Sequence, residues 1–422
     1  MNKVKLGEIA DFQTGPFGTQ FSASEYVSAG VPVINVRNIG YGNIIEQDLE
    51  FVSEETKKRL RAHILKTSDI VFGRKGSVDR HAYIDERYSG WVQGSDCIRV
   101  RCKENINPHY LSHYLKLAHV KKQINSSAVG STMASLNVNI LKDIMVILPD
   151  IFVQNQIESI LSVLEEKIEI NSQICVELEA MAKTLYDYWF VQFDFPDENG
   201  RPYRTSGGEM VWNAQLKREI PKGWNVGPLS CAISSINTGL NPRDNFKLGN
   251  GKVQYITVKN ITASGTLDFT SCDTVDEQAQ KVIHARSDIS AGDILFASIA
   301  PLGRCYLIQE TPTDWDINES VFSIRCNNDV VTSEFLYMYF MGDMFIKSAT
   351  SSSTGSIFKG IRINTLLDLN AILPSKNIVD LFSKQVQKLL ALKEQKVKEN
   401  LEIVKLRDWL LPMLMNGQAR VE

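Results

Sequence analysis

The sequence predicts an α+β protein of two related globular heads, each followed by a long helix, with the two helices paired as an antiparallel coiled coil. Three observations support this: the second half of the chain repeats the first, two long stretches space their apolar residues helically, and each head contains short strand-like runs. The predicted parts are a first head (1–150), a central long helix (151–195), a connector (196–222), a second head (223–375) and a C-terminal long helix (376–422).

The repeat is visible by direct comparison of the two halves. The run KTSDIVFGRKGSVDRHAYI (66–84) aligns without a gap on SAGDILFASIAPLGRCYLI (290–308), 224 residues further on from 66 to 290. The other matching pairs are VPVINVRNI (31–39) with VQYITVKNI (253–261), IRVRC (98–102) with FSIRC (322–326), GSTMASLNVNILKDIMVILP (130–149) with GSIFKGIRINTLLDLNAILP (355–374), and LYDYW (185–189) with LRDWL (406–410). The chain is therefore one head-and-helix unit written twice.

Within the heads, short apolar runs bounded by turn residues predict strands: VPVINV, DIVFGR and CIRVRC in the first head, and VQYITV, DILFAS and VFSIR in the second. A helix is predicted to begin at Asn107-Pro108, where proline suits the first helical position, and its counterpart near Ser333. We expect a mixed or antiparallel sheet in each head. The connector, rich in Gly, Pro and charge, is expected to contain one short helix at Asn213–Arg218.

The two long helices show apolar residues in alternating steps of three and four, which is typical of a coiled-coil seam. The predicted seam residues are Ile157, Leu161, Leu164, Ile168, Cys175, Leu178, Ala182, Leu185 and Trp189 in the first helix, and Val386, Leu390, Val397, Leu401, Val404 and Leu411 in the second. Asn171 and Asn400 place one polar residue near each seam. Opposite net charges on the two stretches also favour pairing. The alternative is two unrelated amphipathic helices that pack on separate cores.

Composition excludes several classes of protein. The chain has 422 residues, 43% hydrophobic and 23% charged, which is enough for two well-buried domains. It shows no apolar run long enough to span a membrane and no signal-peptide pattern, so we expect it in the cytoplasm. Seven cysteines without a CxxC pair indicate neither a disulfide framework nor a zinc knuckle. The net charge of −3 does not itself indicate nucleic-acid binding, which must depend on local patches or on a basic partner.

A search for catalytic motifs is negative. The chain contains no GxxxxGK[ST] phosphate loop, no GxGxxG turn opening a helix, no GxSxG and no HExxH. The run Asn107-Pro108-His109-Tyr110 resembles the Asn-Pro-Pro-Tyr loop of adenine methyltransferases, but no glycine-rich cofactor turn accompanies it. His109 and His113, one helical turn apart, lack a further ligand nearby in sequence, so we expect exposed helix histidines rather than a metal site. No catalytic residue is predicted.

Several longer motifs together resemble the specificity subunits of type I restriction-modification systems. They are the opening VKLGEIADFQTG, the run GDILF and its counterpart SDIVF, LNVNILKDIMVILP before a helix, YDYWFVQFDFPDENGRPYRTSGGEMVWN, the IPKGW that opens the second head, and the closing LRDWLLPMLMNG. Each motif is only moderately specific alone. Together, in this order and in duplicate, they make a strong resemblance that covers essentially the whole chain.

This resemblance implies a non-catalytic DNA-reading protein. Each head would be a target-recognition domain for one half of a bipartite, asymmetric site in double-stranded DNA. The paired helices would set the gap between the half-sites and dock two copies of a modification methyltransferase, and the assembly would recruit a restriction and translocase subunit. The resemblance implies no cofactor on this chain, with S-adenosylmethionine and ATP held by the partner subunits.

Candidate DNA-binding residues lie in polar, glycine-broken loops, because Arg and Lys can pair with guanine, Asn and Gln with adenine, and Ser and Thr with base or phosphate. In the first head they are Gln13, Thr14, Gln20, Arg37, Asn38, Arg74, Lys75, Ser77, Arg80, Ser126 and Ser131. In the second head they are Asn237, Thr238, Arg243, Lys259, Asn260, Ser298, Arg304, Lys359 and Arg362. Arg80 and Arg304 are equivalent in the repeat, whereas Arg74 corresponds to Ser298, a difference expected of heads that read different bases.

Two other functions stay open from the residues alone. One is a methyltransferase or nuclease with degenerate motifs, which would act on DNA without a partner. The other is a coiled-coil scaffold whose heads bind protein.

Overall fold

The chain folds into two compact units, each of which contains one head. The computed structural model describes residues 2–128, 135–352 and 360–419. The first unit comprises Met1–Ile168 and Leu401–Glu422, and the second comprises Glu169–Asn400. Each unit therefore contains a segment of each of the two long helices. Ser131 and Lys359, two of the candidate DNA-binding residues, lie outside the described residues.

The first unit is built around a five-stranded sheet in the order β2-β10-β7-β8-β5, with a four-stranded sheet β3-β6-β4-β9 and a β1-β11 pair beside it. Its strands are β1 (Asn2–Lys5), β2 (Ala10–Thr14), β3 (Tyr26–Val27), β4 (Val31–Ile34), β5 (Tyr41–Gly42), β6 (Glu50–Val52), β7 (Asp69–Gly73), β8 (His81–Tyr83), β9 (Val92–Gln93), β10 (Cys97–Cys102) and β11 (Met145–Leu148). Its helices are α1 (Leu6–Ile9), α2 (Glu54–Arg59), α3 (Pro108–Leu115), α4 (Ala118–Ser127), α5 (Val138–Lys142) and the start of α6 (Ile151–Tyr186).

The second unit contains a four-stranded sheet β15-β21-β18-β19, a three-stranded sheet β17-β16-β20 and the pairs β14-β22 and β12-β13. Its strands are β12 (Met210–Asn213), β13 (Arg218–Pro221), β14 (Asn225–Pro228), β15 (Ile233–Thr238), β16 (Val253–Ile256), β17 (Asp273–Val275), β18 (Ile294–Ala297), β19 (Cys305–Leu307), β20 (Trp315–Ile317), β21 (Val321–Cys326) and β22 (Asn370–Leu373). Its helices are α7 (Glu277–Ser287), α8 (Ser333–Met341), α9 (Asp343–Ser352), α10 (Ile363–Leu367) and most of α11 (Lys376–Met415).

The topology confirms the α+β fold and the duplication. Strands β2, β10, β7 and β8 occur in the same order as their repeat counterparts β15, β21, β18 and β19, and every adjacent pair in these two sets is antiparallel. Strands β4 and β9 pair in parallel, as do β16 and β20. The predicted helices at Pro108 and Ser333 are both present, capped by the side chains of Asn107 and Thr332. Each predicted strand run contains a strand, and β21 extends one residue past its predicted run, to Cys326.

A buried ion pair occurs at equivalent places in the two heads. Asp69 accepts two hydrogen bonds of 2.7 Å from Arg101 on the neighbouring strand, and Asp293 is bound in the same way by Arg325 at 2.8 Å. Each aspartate also accepts a hydrogen bond from the backbone three residues earlier, which closes the turn into the central strand. The repeated Asp-Ile motif is therefore a structural turn, since both carboxylates are fully used inside the head.

The two long helices pair antiparallel, as predicted. In the second unit Asn171 donates a hydrogen bond of 3.0 Å to Asn400, while Tyr186, fifteen positions later on α6, lies against Phe382, eighteen positions earlier on α11. In the first unit, residues from both helices belong to the head's hydrophobic core: Ile157 and Leu161 from α6, and Leu411, Leu414 and Met415 from α11. The helices therefore pair with each other and also pack on the heads.

The predicted seam residues differ in burial along both helices. Ile157, Leu161, Cys175, Leu178, Ala182, Trp189, Val386, Leu390 and Leu411 are buried, whereas Leu164, Ile168, Leu185, Val397 and Val404 are half-buried. The prediction for Leu401 is wrong, because its side chain is exposed. Its neighbour Asn400 turns toward α6 instead and bonds to Asn171 and Ser172, so polar contacts replace apolar burial at this position.

The connector contains a β-hairpin where a short helix was predicted. Strands β12 and β13 pair antiparallel with Val211 opposite Ile220. The Asn213 side chain accepts hydrogen bonds from the backbone of Gln215 and Leu216, and Lys217 takes a left-handed conformation with φ of 51°. The polar run between the strands is therefore a tight turn, because asparagine side chains compete with helix formation by bonding to the backbone just ahead.

Among the residues that the structure describes, no helix is long and apolar enough to cross a membrane.

Candidate nucleic-acid interface

The loop between β7 and β8 carries four of the candidate residues of the first head: Arg74, Lys75, Ser77 and Arg80. Its first residue is fixed by two backbone hydrogen bonds, from Arg74 N to Asp96 O and from Leu136 N to Arg74 O, both 2.8 Å. Gly76 takes a φ of +77° with nothing near its missing Cβ, so the turn needs glycine for its conformation rather than for space. The loop is thus anchored at its base and projects polar side chains.

Arg74 and Arg80, at the two ends of this loop, are each held over an aromatic ring. The guanidinium carbon of Arg74 lies 4.8 Å from the ring centre of Phe17, and that of Arg80 lies 5.4 Å from the ring centre of Tyr41. Lys121 on α4 approaches the same tyrosine ring at 4.2 Å. The rings of Phe17 and Tyr41 are 46% and 47% exposed. We call these five residues the arginine–aromatic patch.

The two arginines of the patch make no ion pair or side-chain hydrogen bond with any residue of the described ranges, and the Nε of each is buried without a partner. Other arginines of this head are neutralised: Arg87 bonds to Asp85 at 2.7 Å and Arg101 to Asp69. The patch therefore presents positive charge that no described residue balances, which favours an anionic ligand.

Two further cations predicted in this head are partly balanced. Lys75 lies 3.2 Å from Asp96, and Arg37 lies 3.1 Å from Glu50 and also bonds to the carbonyl of Asp48. Both side chains are about half exposed, so these ion pairs are weak and a phosphate could compete with the carboxylates.

The remaining predicted residues of the first head are spread over other surfaces. Gln13 and Thr14 on β2 are half-buried, and Gln20 and Ser77 are exposed. Ser126 is exposed on α4, where its hydroxyl donates to the carbonyl of Gln123.

The structure corrects the prediction for Asn38 and Asn260, which occupy equivalent positions in the two heads. Both side chains are fully buried. Asn38 accepts from the backbone of Asn35 and donates to the carbonyls of Ile45 and Gln47, while Asn260 accepts from Thr257 and donates to Asp268. These amides hold turns together and are not available to a base edge.

In the second head the predicted cations are more scattered. Arg243 and Arg362 are exposed, and Lys259 lies 3.6 Å from Asp273. Arg304, the counterpart of Arg80, donates to the carbonyl of Ile261 at 3.3 Å. Asn237 is half-buried, as is Thr238, whose hydroxyl accepts from Arg286 at 3.2 Å.

The prediction for Ser298 is also corrected. This serine is buried and its hydroxyl donates to the carbonyl of Ser320 at 2.7 Å. The second head therefore has a serine hydrogen-bonded inside the fold at the position where the first head has Arg74.

Sequence reasoning missed three members of the patch: Phe17, Tyr41 and Lys121. Their signal was weak, because an exposed aromatic residue and a helical lysine are ordinary in isolation. Only the folded structure brings β5, α4 and the Phe17 loop to the β7–β8 loop.

The histidines of α3 belong to a polar cluster at the long helix, contrary to the prediction. Ligand-type atoms of His109, His113 and Glu165 lie within 4.8 Å of one another. His113 is buried rather than exposed, and Glu165 on α6 supplies the further carboxylate that the local sequence lacked. Lys116 Nζ donates to Glu165 at 2.7 Å and lies 3.4 Å from His113 Nδ1, so its ammonium balances the carboxylate.

Burial, with the positive charge of Lys116 close by, lowers the pKa of His113 well below its ordinary value. The ring is therefore neutral at pH 7. This cluster connects α3 of the head to the long helix α6, and none of its residues belongs to the β7–β8 loop.

Comparison with known families gives a consistent result for both units. Residues 1–180 and 221–402 match the model of the type I restriction modification DNA specificity domain. The chain is 24% identical over its full length to the type I restriction enzyme MjaIX specificity subunit of Methanocaldococcus jannaschii, of which it covers 94%. It is also 24% identical to the HindI specificity subunit of Haemophilus influenzae, with 84% of this chain and 87% of that protein covered.

Among solved structures, the chain resembles the S subunit of a type I restriction-modification system from M. genitalium. The TM-score is 0.57 at 16% identity, covering 98% of this chain and 95% of the other. This likeness supports the fold.

Proposed function

Because the chain belongs to the family of type I restriction-modification DNA specificity subunits, non-catalytic proteins with two target-recognition domains, we propose that its two heads read the two halves of a bipartite, asymmetric DNA site. The paired helices set the gap between the half-sites and dock the methyltransferase subunits. The methyl donor S-adenosylmethionine and ATP are bound by those partners and by a restriction and translocase subunit.

One observation carries this proposal: the two heads share a fold but differ in chemistry at equivalent loop positions. Arg74 in the first head lies over an exposed aromatic residue and forms no ion pair with a described residue, whereas Ser298 in the second head is a buried structural residue. A duplicated scaffold with unlike loops is what reading two different half-sites requires, since sequence is specified only where side chains reach base edges.

The length of the helices suits a spacer. Helix α6 has 36 residues, which at 1.5 Å per residue is about 54 Å, or roughly one and a half turns of duplex DNA. The overall net charge of −3 is compatible with this role if partner subunits supply much of the phosphate contact.

Two exposed aromatic residues support docking of two identical partners. Tyr188, just after α6, and Trp409, near the end of α11, are equivalent in the repeat and are 37% and 57% exposed. Exposed aromatic side chains are frequent anchors of protein interfaces. The same anchor at equivalent places in both units offers each copy of a partner the same contact.

We predict that Tyr188→Ala and Trp409→Ala each weaken the retention of one methyltransferase copy by about 2 kcal/mol, roughly 30-fold, as expected for an aromatic anchor. Native mass spectrometry of the co-purified complex measures the partner number directly. Trp212→Ala is the matched control, because this tryptophan is 64% exposed on the connector hairpin and has no repeat counterpart. Equal losses in all three variants would contradict paired docking at these sites.

The function is tested by methylation-aware sequencing of DNA from a host that expresses this chain together with its methyltransferase, compared with the methyltransferase alone. We expect a two-part asymmetric motif that appears only with the chain. Methylation or cleavage by the purified chain alone would favour an enzyme with degenerate motifs. A stable complex without sequence preference would favour a protein-binding scaffold.

A further inference from the structure

Resting on the proposed function, we propose that Arg74 is a guanine reader, so that the half-site recognised by the first head contains a guanine contacted end-on by this guanidinium. The second head has no such reader at the equivalent position. The inference deepens the proposed function by assigning one base of one half-site to one side chain.

The first argument is the way in which Arg74 is held. Its guanidinium lies over the Phe17 ring at 4.8 Å, and its Nε is buried without a hydrogen-bond partner among residues 2–128, 135–352 and 360–419. Leaving a buried donor unpaired is unfavourable, so hydrogen bonding to the described residues does not explain this conformation of the Arg74 side chain. With Nε buried, the two terminal nitrogens remain as a planar pair of donors.

The second argument is the shape of the acceptor that such a pair fits. In the major groove, guanine offers O6 and N7 side by side, and two parallel N–H donors match this edge as they match no other base. A ring that stacks on the guanidinium face restricts its rotation without using a donor, which reduces the ordering cost of a two-point contact.

The third argument comes from the neighbouring arginines. Arg87 also lies over a ring, that of Tyr88 at 5.2 Å, but Asp85 takes two of its donors. Arg80, like Arg74, has no ion-pair partner in the described part of the chain, yet an arginine, Arg304, occupies the equivalent position in the other head. A position shared by both heads suits a sequence-independent phosphate contact, whereas a position present in one head suits base reading.

The test uses the complete complex of the chain with its methyltransferase, and duplexes that carry the methylation motif found for the wild type. Each guanine of the first half-site is replaced in turn by 7-deazaguanine, which lacks the N7 acceptor. For one guanine we expect the wild-type complex to bind roughly 5- to 150-fold more weakly, and the Arg74→Ala complex to be insensitive to the same replacement. In cells, Arg74→Ala should relax the motif at that letter only.

Two variants serve as controls. Arg87→Ala removes a stacked but neutralised arginine from the same head and should leave the motif unchanged. Arg74→Lys keeps the charge but loses the planar fork, so it should relax the same letter while retaining most non-specific affinity.

The outcomes separate this inference from the proposed function. A sequence-specific wild-type complex whose guanines all tolerate 7-deazaguanine would overturn the inference alone. So would an Arg74→Ala complex that binds every sequence more weakly by the same factor, which is the behaviour of a phosphate contact. A wild-type complex without any sequence preference would overturn the proposed function as well.

Discussion

Replacing Lys393 by methionine is expected to destabilise the second unit by about 3–5 kcal/mol, the usual cost of leaving the partner of a buried ion pair alone. Lys393 lies on α11 and is only 4% exposed. Its ammonium donates to Glu179 on α6 at 2.6 Å and to the carbonyls of Ser264 and Gly265 in the head. One side chain therefore joins both long helices to the head.

The backbone turn that faces this lysine is closely packed. Gly265 has a φ of +59°, and a Cβ there would lie 2.1 Å from the Tyr337 hydroxyl and 3.3 Å from Lys393 Nζ. The turn can therefore approach the ammonium only because residue 265 is glycine. Methionine would occupy the space but would leave the Glu179 carboxylate and two carbonyls without their donor.

Hydrogen-exchange mass spectrometry can measure the loss, because it resolves the stability of the two units separately. Lys398→Met is the matched control: this lysine is on the same helix but pairs with Glu310 at the surface, and its loss should cost less than about 1 kcal/mol. The double variant Lys393→Met with Glu179→Leu should recover part of the stability. If the Lys393→Met protein showed the same hydrogen-exchange rates in the second unit as the wild type, Lys393 would not stabilise the contact between the long helices and the head.

Most of the fold could be predicted from the sequence because its signals are local or repeated. The strand runs around Asp69 and Asp293 are continuous and apolar, which fits central strands with every residue buried or nearly so. The caps at Asn107 and Thr332 are equally local. The coiled-coil pattern predicted the helix partners, but it could not predict that Lys393 would be buried at the seam.

The candidate interface was predicted less well, because the accessibility of a loop side chain depends on tertiary structure. Asn38 and Asn260 are of a residue type that can read bases, yet the side chains of both are hydrogen-bonded to the backbone of their own turns. Ser298 is buried for a similar reason. Conversely, Phe17 and Tyr41 became candidate site residues only because the fold places Arg74 and Arg80 over their rings. Residue type alone therefore predicts the accessibility of cations better than that of amides and hydroxyls.

The first unit is expected to lose stability steeply as the pH falls below 6.5, because two of its histidines are buried in the neutral form. Burial lowers the pKa of His81 from 6.5 to about 3, and burial lowers that of His113 well below its ordinary value. His81 is enclosed against Phe72 and lies 3.0 Å from Ser112, with Lys116 and Lys121 adding positive charge nearby.

The sign follows from linkage. An unfolded histidine gains a proton near pH 6.5, whereas these two stay neutral in the folded state, so protons favour unfolding below that pH. Their stabilisation is complete above pH 6.5 and decreases by about 1.4 kcal/mol per pH unit for each histidine, down to the folded pKa. Between pH 6.5 and 4.5 the contribution of His81 alone amounts to roughly 2.5 kcal/mol, and His113 adds to it in the same direction, which is a large fraction of the stability of a typical domain.

Urea unfolding followed by hydrogen exchange in the first unit, measured between pH 7.5 and 4.5, tests this. Below pH 6.5, His81→Asn should reduce the slope of unfolding free energy against pH by about 1.4 kcal/mol per unit, whatever its effect on stability at pH 7.5. His113→Asn should reduce the slope in the same direction. His119→Gln is the control, because this histidine is exposed on α4. The slope reports the protons taken up on unfolding. An unchanged slope in both asparagine variants would mean that the rings of His81 and His113 are already charged in the folded head. That outcome would contradict their burial in the neutral form.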